Sequence, residues 1–237
     1  MPKRKSSSKR SSSSKRRSRK SSMSKKAIKR SVLQAVLGMS ETKYRQFADE
    51  NVNIFHNTTT ITGNAINMLQ TSQGASDNQR IGDTIRAKSL NIKMQLFNKQ
   101  DRPNVTYRVL ILAPLTTGVT PAPTIWKGES GNKMLDNIDT GSYKIIYQKF
   151  VKWSSQTTTF SGPTTLPNYS RETSKIISIN IPLKNKKLQY STNSAVVPKS
   201  SKLNWTLYVT PYDAFGTLIT DNIASYAYNA RLYFKDF

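Results

Sequence analysis

The chain has no cysteine and a single histidine, His56, in 237 residues. The first absence excludes a disulfide framework, a thiolate zinc site and a cysteine nucleophile. A lone histidine outside any HxH or HExxH spacing points to a structural role, and no P-loop, dinucleotide-binding or nucleophile-elbow motif occurs. Acids are scarce: 13 against 37 bases, with none before Glu41. Asp83, Asp101, Glu129, Asp136, Asp139, Glu172, Asp213 and Asp221 are scattered and form no carboxylate pair for general acid–base work. No apolar run approaches the roughly 20 residues that span a bilayer, and the N-terminus lacks the apolar stretch of a signal peptide. These absences predict a soluble protein that is not secreted by the standard route, inserts in no membrane, carries no cofactor and is not an enzyme.

What is present is concentrated at the start. Residues 1–30 hold 14 lysines or arginines and 11 serines. Such a segment buries too little apolar surface to offset its chain entropy, so residues 1–30 are predicted to be a disordered arm. Its charge makes it a ligand for polyanions, nucleic acid first among them. The candidate contacts are Lys3, Arg4, Lys5, Lys9, Arg10, Lys15, Arg16, Arg17, Arg19, Lys20, Lys25, Lys26, Lys29 and Arg30. They would neutralise phosphates without reading sequence. The clusters KRK (3–5) and KRRSRK (15–20) also have the composition of nuclear-import signals, a composition any nucleic-acid arm shares. The other 207 residues carry 23 bases and 13 acids, a net of +10, and are enough for one domain with a core.

Residues 31–40 read as a short helix or linker. Ile28, Val32, Leu33, Val36 and Leu37 fall at helical spacing over 27–37, with Gly38 as a plausible stop. A helix this short is marginal alone, so it is expected to order on assembly, against the body or a neighbouring copy. Residues 41–237 read as one β-domain. Period-two or apolar runs occur at 52–62, 64–70, 84–97, 105–113, 143–153, 175–183, 203–209 and 224–234. In 84–97 the apolar parity changes, which predicts a bulge near Lys88–Ser89. The run 105–113 predicts a strand covered on both sides. Two connections are long, 114–142 with room for a short helix and 154–174, and both are candidates for outer surface and inter-subunit contact. Eight strands without βα alternation predict an all-β sandwich, a jelly roll of two packed antiparallel sheets.

Three weaker site readings stand beside the arm. Arg86, Lys88 and Lys93 are candidates for nucleic-acid contact from the body, or else ordinary solvated strand positions. Trp126, Trp153 and Trp205 have rings that stack bases, although strand parity puts Trp153 and Trp205 in the core. Asp136 and Asp139, with Asn137 between them, have the spacing of oxygen ligands for a calcium ion at a subunit contact; the alternative is a helix end and a turn.

Residues 77–96, DNQRIGDTIRAKSLNIKMQL, resemble the strand-opening block of small icosahedral viral capsid proteins. The matching residues are Asn78, Gln79, Arg80, Gly82, Asp83, Ile85, Lys88, Ser89 and Leu90. Similar blocks occur in plant satellite necrosis viruses and in circular, Rep-encoding single-stranded DNA viruses of the circovirus-like type. The order of other segments is similar too: a basic arm, an ETK step at 41–43, YRVLIL at 107–112, PTIWKG at 123–128, KIIYQKFVKW at 144–153 and a closing ARLYFKDF at 230–237.

The resemblance implies a single eight-stranded viral jelly roll that self-assembles into a small icosahedral shell, with the arm lining the interior on the genome. It implies a T=1 homo-oligomer of about sixty copies. It favours a single-stranded DNA genome over RNA, of very roughly 1,000–2,000 nucleotides by charge matching. Host nuclear import factors, a cell-surface receptor, a virion location and a nuclear assembly stage follow from the same expectation. The competing readings are a cellular nucleic-acid-binding protein with a basic tail on a β-domain, and an enzyme with a basic targeting tail.

Overall fold

A computed structural model describes residues 25–61, 67–99, 102, 104–116, 125–128, 130–153, 174–191, 195–215 and 217–236. The chain divides into two units, Met1–Met39 and Ser40–Phe237.

In the first unit the described part is one helix, α1 (Lys25–Met39). The predicted arm therefore loses its last residues to helix: Lys25, Lys26, Lys29 and Arg30 lie in α1. The reason is local, because Ala27, Leu33, Gln34, Ala35 and Leu37 are good helix formers and extend the turn in both directions. Gly38 does not stop the helix, which ends one residue later. Ile28, Val32 and Val36 recur every four residues and are exposed, as is Met39; Leu37 is buried. Lys3 to Lys20 lie outside the described residues. Among the described residues no helix is long and apolar enough to cross a membrane.

The second unit is all-β. Its strands are β1 (Thr42–Phe55), β2 (Thr60–Ile61), β3 (Thr84–Asn98), β4 (Thr106–Pro114), β5 (Tyr143–Lys152), β6 (Ser174–Gln189), β7 (Thr206–Tyr212) and β8 (Asn222–Asp236). They form two four-stranded sheets, ordered β1-β8-β3-β6 and β2-β7-β4-β5. The antiparallel pairs nest, first strand with eighth, second with seventh, third with sixth, fourth with fifth. That is a single long hairpin ribbon, turned between β4 and β5 and wound on itself. Pairs β3–β8 and β4–β7 close the winding. This nested pairing is the jelly roll.

The core lies between the sheets. Ile85, Leu90, Ile92, Met94 and Leu96 of β3 meet Tyr107, Val109 and Ile111 of β4, with Leu207 and Val209 of β7 and Tyr226 to Phe234 of β8 around them. The parity change in β3 is a bulge: the register shifts between Ala87 and Ser89 against both neighbours, leaving Lys88 unpaired. Opposite it, β6 accommodates the shift with Lys184 and Asn185 at positive φ (50° and 57°). The run 105–113 is covered on both sides as expected. Tyr107, Val109 and Ile111 face the main core, while Leu110 and Leu112 form a second cluster with Ile125, Ile138, Tyr143 and Tyr208.

Several expectations fail at the edges. The first strand begins at Thr42, ten residues before the apolar pattern, and includes Thr42 and Lys43 of the ETK step. β1 is an edge strand in which only Phe47 and Ile54 are buried, so hydrophobic alternation barely marks it. His56 lies in the turn after β1, not in a strand. Of the run 64–70, residues 64–66 lie outside the described residues and 67–70 form a turn. There Asn67 accepts hydrogen bonds from the Leu69 and Trp205 amides, fixing a bend rather than a ladder. Residues 201–203 are a 3-10 turn, and the strand after it starts at Thr206. Of the β4–β5 connection, residues 117–124 and 129 lie outside the described residues; where it is described there is a turn at 133–135 and no helix. The loop 154–173 also lies outside the described residues.

Candidate nucleic-acid interface

The two sheets present different outer faces. On the sheet that contains β4, the β4–β5 connection folds back over the outside. Arg108, at 5% exposure, anchors it. Its Nη1 donates to the carbonyls of Lys133 (2.7 Å) and Asp136 (2.8 Å), and its guanidinium lies over the rings of Trp126 (4.6 Å) and Phe150 (5.1 Å). Burial lowers the Arg108 pKa and the nearby Asp136 carboxylate opposes that shift. Asn57, at φ 49°, ties the same loop to the β1–β2 turn: its side chain donates to the Gly131 carbonyl (2.7 Å) and accepts from the Lys133 amide (2.9 Å).

The outer face of the sheet β1-β8-β3-β6 is instead basic and polar. Strand alternation sends Ile85, Ala87, Leu90, Ile92 and Met94 inward and Arg86, Asn91 and Lys93 outward. In β8 the outward set is Asn229, Arg231, Tyr233 and Lys235. The register stacks these residues into rows across the strands. One row is Thr42–Lys235–Arg86–Lys187, the next Tyr44–Tyr233–Ser89–Pro182, then Gln46–Arg231–Asn91–Asn180, then Ala48–Asn229–Lys93–Ser178. Lys88 and Lys184 are exposed at the bulge between the first two rows. Arg86, Lys88, Lys93, Lys184, Lys187, Arg231 and Lys235 therefore share one face. The acid at the far end of that face is Glu50, in β1 beyond Ala48.

The most basic row lies where the chain enters this domain. Lys235 Nζ donates to the Ser40 carbonyl (2.8 Å) and Ser40 Oγ to the Asp236 carbonyl (2.6 Å), fastening residue 40 to the end of β8. Asp236 is turned the other way, paired with Lys43 at 3.4 Å and accepting from the Ile81 amide. The cationic row thus lies beside Ser40, the first residue of this domain.

The other predicted positions have local duties. In the 77–96 block Arg80 is fully buried. It donates to the carbonyls of Gly82 (2.5 Å) and Ala195 (2.8 Å), meets Asp83 at 3.3 Å and lies 4.3 Å from the Tyr190 ring centroid. Burial pushes the Tyr190 hydroxyl up to about 12. Asp136 accepts from Ser130 Oγ (2.6 Å) and the Ser130 amide (2.8 Å), and Asp139 from the Gly141 amide (3.1 Å). Hydrogen bonds from Ser130 and from Ser142 lower the pKa of Asp136 and Asp139, respectively. This is turn chemistry, and among the described residues no three metal-ligating side chains gather.

Of the tryptophans, Trp205 is core and Trp153 stacks on Tyr107 at 5.2 Å and 5°. Trp126 is half-buried, donating to Thr59 Oγ1 (2.8 Å) beneath Arg108, so its ring is already occupied. Sequence reasoning missed Arg231, Lys235 and Lys187 as companions of Arg86 and Lys93. Pairing partners, which no single strand reveals, bring them together.

No protein-family model matches the chain, and no curated protein matches it. Among solved structures the chain is similar to the empty head of turnip yellow mosaic virus, at 10% identity over 83% of this chain and 82% of that one, with a TM-score of 0.35. It is similar to Desmodium yellow mottle tymovirus at 11% identity over 83% and 88% of the two chains, with a TM-score of 0.34. Likenesses at this level add nothing to what the strand pairing itself establishes.

Proposed function

We propose that this chain is the coat subunit of a small icosahedral virus, assembling into a closed shell and holding single-stranded nucleic acid against its inner surface. The observation that carries the reading is the segregation of charge. Fourteen of 37 bases fall in the first 30 residues with no acid among them, and seven more share one sheet face of the domain. A jelly roll supplies the rigid block that symmetric interfaces need. The basic segment supplies sequence-independent phosphate neutralisation.

In this reading the face of β1-β8-β3-β6 is the inner one, and the sheet covered by residues 125–142 is the outer one. The role is structural rather than enzymatic. Its finer content follows from the sequence resemblance: about sixty copies in a T=1 shell, DNA in preference to RNA, nuclear import through residues 3–5 and 15–20, and a receptor on the host cell.

The test is negative-stain electron microscopy of the recombinant protein, with absorbance at 260 and 280 nm on the same fraction. Uniform spheres rich in 260 nm absorbance are expected. A monomer or dimer that binds nucleic acid without forming particles would overturn the coat reading in favour of a cellular binding protein.

A further inference from the structure

We infer that Tyr44 and Tyr233 form a base-stacking step on the open face of β1-β8-β3-β6, a site for an unpaired nucleotide. The inference rests on the nucleic-acid-binding part of the function proposed above and not on shell formation. The two tyrosines are direct cross-strand partners, with ring centroids 6.2 Å apart and planes at 44°. Neither belongs to the hydrophobic core, and Tyr44 is 43% exposed on an edge strand. Arg231, one row away, lies 5.4 Å from the Tyr44 ring centroid.

The site is an aromatic row between two cationic ones. Lys235, Arg86 and Lys187 lie on one side and Arg231 on the other. Rows two residues apart along a strand are separated by about 6.8 Å. A base laid on the tyrosines would have cations within reach of the phosphates on both sides of it. Glu50, six residues along β1 from Tyr44, is roughly 20 Å away by the same spacing. The ligand is single-stranded because a duplex keeps its base faces stacked internally, whereas an unpaired base offers its π-face to any aromatic ring. Stacking tolerates every base, so the site adds affinity without reading sequence.

The experiment measures binding of the full-length protein to fluorescein-labelled oligothymidylate and to an abasic deoxyribose-phosphate strand of the same length. It is run at raised salt, where the phosphate contribution is suppressed. Tyr44→Leu should weaken oligothymidylate binding by about tenfold. It should leave abasic-strand affinity and the dependence on log salt unchanged, and Tyr44→Phe should retain wild-type binding. Wild-type affinity in Tyr44→Leu, or an equal loss on both strands, would overturn the inference.

Because the variants could disturb the edge strand, ultraviolet cross-linking of the unaltered protein to oligothymidylate provides a second test. Adducts at Tyr44 or Tyr233 support the site, and adducts confined to residues 1–30 sink it. Microscopy of the unaltered protein reports shell formation separately, so absent particles with intact tyrosine adducts would leave the stacking site standing.

Discussion

His56 is buried as a hydrogen-bond acceptor: the Asp213 amide donates to its Nδ1 at 3.2 Å, and its ring lies 4.9 Å from that of Tyr212. Desolvation lowers its pKa below 6.5, against the raising influence of Asp213 and Asp221 and with a small push in the same direction from Arg102. The unfolded chain therefore takes up the proton first as pH falls. The stabilisation is complete above pH 6.5 and is lost as pH drops through the lower folded value. Urea denaturation over that window should show falling stability, and His56→Gln should flatten the profile while costing roughly 1 kcal/mol at neutral pH. A variant that keeps the wild-type slope would refute the assignment. Arg108 makes a sharper case. Arg108→Ala strips the buried Asp136 carbonyl and the part-buried Lys133 carbonyl of their donor and opens a hole between Trp126 and Phe150, so a loss of roughly 2–4 kcal/mol is expected. Amide exchange in residues 133–139 should rise more than in β3, and uniform exchange would argue against a local anchor. That His56 is structural was legible, but the partners of His56 and of Arg108 were not. A histidine among threonines and an arginine inside YRVLIL say nothing of which loop folds over them. The outward placement of Arg86 and Lys93 was legible, because alternation in a long strand fixes the face each occupies.

At the scale of elements, legibility follows burial. β3, β4 and β8 are inner strands with one or both faces covered, and their period-two or continuous apolar patterns mark them clearly. β1 has polar or charged residues on both parities, a bulge at Asn51 and a single neighbour, so its first half carries little hydrophobic signal. The bulge at Lys88 was readable because one inserted residue is what moves the apolar positions of a strand from odd to even numbers while keeping them on the same face. Helix α1 was readable in its apolar spacing but not in its start, since Lys25 and Lys26 belong by composition to the arm. Its stripe of Ile28, Val32 and Val36 is exposed, and fifteen residues form a marginal helix in water. A peptide of residues 25–39 should therefore show little helicity by circular dichroism. Val32→Asp with Val36→Asp should leave the melting temperature of the β-domain unchanged, and under the coat-subunit proposal it should lower particle yield. A large drop in melting temperature would mean that the helix contributes to the fold of the domain instead.

For the whole molecule the deciding quantity is how charge is divided. Residues 1–24 contain ten cations and no acid, so removing them takes the formal net charge from +24 to +14 and leaves α1 intact. If those cations alone held nucleic acid, the truncated chain would lose both its affinity and its salt dependence. If the sheet face contributes, part of each should survive. For a single strand the slope of log affinity against log salt is about −0.7 per neutralised phosphate. The truncated chain should thus keep a shallower, non-zero slope. Adding Arg86→Gln, Lys187→Gln and Arg231→Gln should flatten it by roughly two further units. All three side chains point out of the sheet, so the β-domain should melt as before. A truncated chain with zero slope would confine nucleic-acid binding to the arm and leave the basic face as a solvated surface. A slope equal to that of the full chain would place the phosphate contacts on the domain and reduce the arm to a bystander. The intermediate result is the one the proposed function expects, with the N-terminal cations and those of the sheet face meeting the same polyanion.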